Sequence, residues 1–268
     1  MEPLVTSPVF VMTLPRSGST LLRCILDSHP LVRSPHELHF TCLEVEMTTP
    51  FTELAMKLMG FGSRELEHML WDRILHHELT RSAKQVIVEK DPRDLLQWER
   101  FCEAWPQARF IFIIRHPGAI YASIEESRRR VRKRAIELND APATGEDADL
   151  GAATVRLAAN NPQSSLEIVV DRIERMEEVR HNLAGLTIRY EDLVSDTERV
   201  TREVCDFLGV PWDERMLDYG AVDHGPLVWG VADSSDHIKS GRIAAPRALP
   251  TQDMPAELLP ACRLWGYL

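Results

Sequence analysis

Four short apolar runs punctuate the chain: "VFVMT" (9–13), "QVIVE" (85–89), "RFIFIIR" (109–115) and "LTIRY" (186–190). None alternates cleanly between apolar and polar positions. That pattern predicts strands buried on both faces of a parallel sheet. The segments between them have helical periodicity. "STLLRCILDSH" (19–29) stops before Pro30, and "SRELEHMLWDRILHHEL" (63–79) opens on Ser63 as a cap, with Leu66 where a capping box would place an acid. "PRDLLQWERFCEAW" (92–105) begins with Pro92 at a first-turn position, where its missing N–H does no harm. Strands alternating with helices predict an α/β fold, a central parallel sheet flanked by helices and joined by right-handed crossovers.

The 268 residues suffice for one domain spanning 1–268, and no repeat or linker divides it. The small, acidic, turn-prone stretch "LNDAPATGEDADLG" (138–151) is expected to form a lid or insertion near 128–151. It follows "RRRVRKR" (128–134), a basic run in a chain whose net charge is −10. Such a net charge argues against general nucleic-acid binding. The run itself is expected to be a solvated helix face, with an anchor for an anionic ligand or an acidic partner as the alternative. The five cysteines are far apart and form no CxxC pair, and adjacent His76 and His77 point apart on a helix, so no metal site is expected. No apolar run approaches the ~18 residues of a membrane span. The first residues lack the basic start of a signal peptide, so the expectation is a cytoplasmic protein without a membrane partner.

The chemistry begins where the first strand ends. "LPRSGST" (14–20) places Arg16, Ser17, Gly18, Ser19 and Thr20 between a strand and a helix. Gly18 allows close approach of the backbone to an oxyanion, the helix N-terminus offers orphan N–H groups, and Arg16 adds a charged fork. Aligned with the triphosphate loop GxxxxGK[ST], Thr13 replaces the first glycine and Ser19 replaces the lysine. Both departures count against γ-phosphate transfer, which relies on that lysine. A second anion site is suggested by Arg115 at the end of "RFIFIIR" and Ser123 on the following helix.

Together, "PRSGSTLL", "IIRHPGAIYAS" and "IRYEDLVSD" resemble the sulfotransferases that use 3'-phosphoadenosine 5'-phosphosulfate, from Pro15 to about Arg242. Within them the likeness is to the branch holding protein-tyrosine sulfotransferases and the sulfotransferase domains of polyketide synthases. The resemblance implies a P-loop-like sulfotransferase fold and this cofactor as sulfuryl donor. It implies that Arg16, Ser17, Gly18, Ser19 and Thr20 hold the 5'-phosphosulfate, Arg115 and Ser123 the 3'-phosphate, and Tyr190 the adenine. Ser234, Lys239 and Arg242, in "DSSDHIKSGR" (233–242), are candidate contacts closing over it. On the same basis Glu37 is the base that takes the acceptor's proton, with Lys90 and Arg16 neutralising charge; His237 and His39 are further candidates. Cytosolic members acting on small molecules carry a histidine base two residues after the strand-end lysine, where this chain has Pro92. The expected acceptor is a hydroxyl on a small molecule or on an acyl chain borne by a carrier protein; oligomeric state stays open. A nucleotide or small-molecule kinase and a non-catalytic nucleotide-binding protein are the competing readings.

Overall fold

The computed structural model describes residues 2–140, 146–225, 227, 230, 233, 235–244 and 254–268. Five strands form one parallel sheet: β1 (Val9–Thr13), β2 (Val32–Arg33), β3 (Val86–Glu89), β4 (Arg109–Ile114) and β5 (Leu186–Arg189), in the order β2-β3-β1-β4-β5. The register pairs Val9 with Val88 on one side of β1 and with Arg109 on the other. Both faces of the sheet are covered over β1, β3 and β4, which is why those strands do not alternate; the edge strand β5 departs from the expectation, with Thr187 exposed and Ile188 buried. Phe10, Met12, Phe110 and Phe112 point into one apolar layer with Trp71, Phe101 and Trp105. Val9, Val11, Ile111 and Ile113 point into the other, with Leu22, Ile25 and Val204. Phe10 and Phe101 stack with ring centroids 4.0 Å apart, fixing the first layer near its centre.

The crossover helices are α1 (Ser19–Asp27), α2 (Pro50–Leu58), α3 (Ser63–Ser82), α4 (Trp98–Ala104), α5 (Pro117–Asp140), α6 (Glu146–Ala159) and α7 (Ser165–Asn182). After β5 follow α8 (Tyr190–Ser195), α9 (Thr197–Leu208), α10 (Asp236–Lys239) and α11 (Leu259–Leu264). Helix α3 is capped one residue earlier than expected. Gly62 is its N-cap, and Glu65, three residues on, accepts from the Gly62 N–H (2.8 Å). The single helix expected over 92–105 is split into a 3₁₀ turn (Asp94–Leu96) and α4.

The stretch 138–151 expected as a lid falls largely on the end of α5 and the start of α6; residues 141–145 of it lie outside the described residues. Among the described residues no helix is long and apolar enough to cross a membrane.

Candidate active site

Every strand delivers a candidate side chain to the carboxyl edge of the sheet, where ligands bind in open α/β folds. After β1, the chain turns through two left-handed residues, Arg16 (φ 68°) and Gly18 (φ 89°), before α1 begins. For a non-glycine such as Arg16 that conformation costs about 1 kcal/mol or more, a strain typical of ligand-binding turns. The turn bends backbone N–H groups towards one concavity, an anion nest at a helix N-terminus. Ser17 is fully buried, and its Oγ has no hydrogen-bond partner. A buried hydroxyl without a partner is costly, so its place here fits a bound oxyanion. Gly18 admits no side chain: a Cβ would come within 2.1 Å of Cδ2 of Tyr190, the first residue of α8.

Lys90 follows β3 and is 1% exposed. Its Nζ forms an ion pair with Oε1 of Glu37 and lies 3.5 Å from Thr20 Oγ1. An ammonium group therefore reaches the loop from a neighbouring strand, although Ser19 occupies the usual lysine position. Beyond Glu37, His39 contacts Asp91 through Nδ1 and the Gly230 carbonyl through Nε2 (2.5 Å). Arg93 also reaches His39 Nδ1 and donates to Asp91 Oδ1 (3.4 Å). Burial opposes a charge on His39, but the hydrogen bond and charge of Asp91 outweigh it and raise its pKa. With both ring nitrogens engaged, His39 is poorly placed to accept a further proton. Glu37, His39 and Asp91 each present a ligand atom within 4.8 Å of the others, the one such grouping among the described residues. Lys90 and the Gly230 carbonyl are already directed at two of its members.

On the other side of the loop, Arg16 gathers the second set of candidates. Its Nε donates to Ser123 Oγ on α5 (3.1 Å), and its carbonyl accepts from Arg115 (2.9 Å). The Arg115 guanidinium lies 4.4 Å from the centroid of the Tyr190 ring. Arg16 also forms an ion pair with Asp233 (3.0 Å), whose N–H approaches Thr20 Oγ1 (3.4 Å). An internal carboxylate thus sits against the candidate anion site, and the sequence reading missed it.

Ser123 opens into a cavity of about 330 Å³ lined also by Arg16, Ser127, Arg130, Arg134 and Asp233. Arg130 and Arg134 border this cavity together with Glu126 and Asp236, yet both stay largely exposed and pair along α5 with Glu126 and Glu137, as a solvated helix face would; Arg128 donates to the Asn161 carbonyl (3.2 Å).

The remaining candidates are not drawn in. His237, half-buried on α10, and the exposed Lys239 and Arg242 make no side-chain hydrogen bond or ion pair with these groups, and Ser234 lies outside the described residues. Apart from these residues, a groove of about 950 Å³ begins at Thr41 and runs along α2 to the start of α3; no candidate site residue lines it. Its lining is acidic, with Glu44, Glu46, Glu53, Glu65 and Glu67 outnumbering Lys57 and Arg100.

The family model described as "Sulfotransferase family" matches residues 8–214. Protein-tyrosine sulfotransferase A of Caenorhabditis elegans is 25% identical over 235 residues, covering 80% of this chain and 53% of the relative. The protein-tyrosine sulfotransferase of Drosophila melanogaster is 24% identical over 221 residues, covering 79% and 40%. The chain thus spans about half the length of these relatives or less. Two solved structures share the fold across nearly their whole length. The sulfotransferase domain of the curacin biosynthetic pathway has a TM-score of 0.64 at 20% identity, covering 98% of this chain and 99% of that one. That of the Synechococcus PCC 7002 olefin synthase has a TM-score of 0.63 at 21% identity, covering 100% and 98%.

Proposed function

This chain belongs to the sulfotransferase family, and we propose that it moves a sulfuryl group from 3'-phosphoadenosine 5'-phosphosulfate to a hydroxyl of a small molecule or a carrier-bound acyl chain. One observation carries the reading: an anion loop without its lysine converges with the buried Lys90–Glu37 pair at one sheet edge. When bound, the donor supplies the sulfuryl group: its S–O bond to the 5'-phosphate breaks as the acceptor oxygen bonds sulfur, and the bisphosphate keeps the electron pair.

The protein's own groups do the rest. Glu37 takes the hydroxyl proton in the transition state. Lys90, Arg16 and the N–H groups of the loop stabilise charge on the transferring group and on the departing oxygen. Ser17, Ser19 and Thr20 supply hydroxyls to the 5' end. Arg115 and Ser123, already linked through Arg16, hold the 3'-phosphate. Tyr190, packed against Gly18 and Arg115, offers a face to the adenine. The acidic groove along α2 is a poor electrostatic match for an acidic partner. An acidic carrier protein would find its electrostatic match on α5 instead.

Calorimetry with 3'-phosphoadenosine 5'-phosphate, using ATP as comparator, tests the donor. Binding no tighter than that of ATP would sink the reading. A mass-spectrometric screen for labelled sulfate on candidate hydroxyl compounds then identifies the acceptor.

A further inference from the structure

Beneath the Lys90–Glu37 pair lie two carboxyl groups that the proposed reaction leaves unused. Glu89, the last residue of β3, and Asp94, in the 3₁₀ turn that follows, are each 1% exposed. Glu89 Oε1 accepts from the backbone N–H of Leu38 (3.3 Å), within the peptide unit that joins Glu37 to Leu38. Glu89 Oε2 and Asp94 Oδ2 have no hydrogen-bond partner. Among the described residues that peptide has two side-chain contacts: Glu89 reaches its N–H from the sheet, and His36 Nδ1 meets its carbonyl from within the loop (3.0 Å).

An ionised Glu89 would leave a bare carboxylate oxygen in the interior beside Asp91 and Glu37. It would also compete with Glu37 for the Lys90 ammonium. A protonated carboxyl costs far less to bury. Burial first, then the charge of Asp91, raises the Glu89 pKa well above the carboxylate range, against the opposing pull of Lys90 and the Leu38 N–H. Asp94 is raised in the same way by burial and by Glu89, Asp91 and Glu37.

We propose that Glu89 is a positioning residue that works as a neutral acid: it fixes the Glu37–Leu38 peptide, and with it the aim of the Glu37 carboxylate, without drawing Lys90 away. The inference rests on the reading of Glu37 as base. Glutamine at this position keeps the acceptor oxygen and stays neutral, whereas alanine removes the bond.

The test compares Glu89→Gln and Glu89→Ala with the unmodified protein. Glu89→Gln is expected to keep kcat within about twofold and Glu89→Ala to lower it about tenfold or more, both with unchanged affinity for 3'-phosphoadenosine 5'-phosphate. Melting curves give a second readout. The folded protein holds a proton that the unfolded chain releases above about pH 4.3, so Glu89 lowers stability as pH rises, until its folded-state pKa is passed. Glu89→Gln should melt above the unmodified protein at about pH 8, and the gap should shrink as pH falls towards about 4.5.

Loss of turnover in Glu89→Gln equal to that in Glu89→Ala, or a melting gap independent of pH, overturns the proposal. If Glu89→Ala does not fold, Glu89→Gln against the unmodified protein still decides. Unimpaired turnover in Glu37→Gln would sink the base reading. Unimpaired kcat in Glu89→Ala with an inactive Glu37→Gln would sink this inference alone.

Discussion

The Lys90 ammonium and the Glu37 carboxylate are direct partners, although they come from different strand ends, β3 and the loop after β2. Lys90 is 1% exposed in its side chain and Glu37 15%, so the pair lies at the boundary between interior and cleft. Neither group is expendable to the other, because a lone buried ammonium or carboxylate is costly.

The pair predicts separable effects on turnover and binding. Glu37→Gln keeps a hydrogen-bond acceptor for Lys90 but loses the proton acceptor. Turnover should fall by about 10²–10⁴, the range typical of general-base loss, while calorimetry records nearly unchanged affinity for 3'-phosphoadenosine 5'-phosphate. A large loss of affinity with little loss of kcat would reverse the assignment.

Gly18→Ala should be far more damaging than its size suggests. The residue would have to keep φ near 89° and push a methyl group into the Tyr190 ring. The expected outcome is a stability loss of about 1–3 kcal/mol together with lost nucleotide binding. Thermal melts with and without nucleotide read both.

Arg115→Ala tests which end of the donor sits where. Comparing affinities for 3'-phosphoadenosine 5'-phosphate and adenosine 5'-phosphate isolates the contribution of the 3'-phosphate. The variant should lose most of the preference for the bisphosphate, about 1.5–3 kcal/mol for a charge-assisted bond, while 5'-phosphate binding changes less. An undiminished preference would move the 3'-phosphate elsewhere.

Asp233→Asn removes the internal carboxylate from Arg16 and should tighten nucleotide binding about threefold to tenfold, measured by titration calorimetry. Burial works to raise the Asp233 pKa, but the charge of Arg16 outweighs it and leaves the group below its ordinary value. A depressed carboxyl contributes stability that is present above its unfolded pKa and lost as pH falls through the folded one. The unmodified protein should therefore lose stability more steeply than Asp233→Asn below about pH 4.

β1, β3 and β4 were legible because they are buried on both faces, whereas the edge strand β5 buries only Ile188 and exposes Thr187. β2, with only Val32 and Arg33, carries no run and exists through its pairing with β3. The start of α3 was misread by one residue because a glycine, with no side chain to signal it, holds the cap position. At the site, the local features were readable: a tight turn, a helix N-terminus, arginines at strand ends. Glu89, Asp91, Arg93 and Asp233 were not, because their significance comes from partners brought close only by folding; Asp233 approaches Thr20 across 213 residues. "VEKDPRD" did carry a cue, five ionisable residues around a strand end, but nothing in the run tells which carboxyl faces inward.

The strand order separates the proposed nucleotide site from the acidic groove. The groups proposed to bind the nucleotide follow β1, β4 and β5, whereas the groove is built largely from the single crossover between β2 and β3. On the proposed function, rebuilding that one crossover would leave the nucleotide grip intact, and grafting the 40–82 segment between relatives would test whether it chooses the recipient.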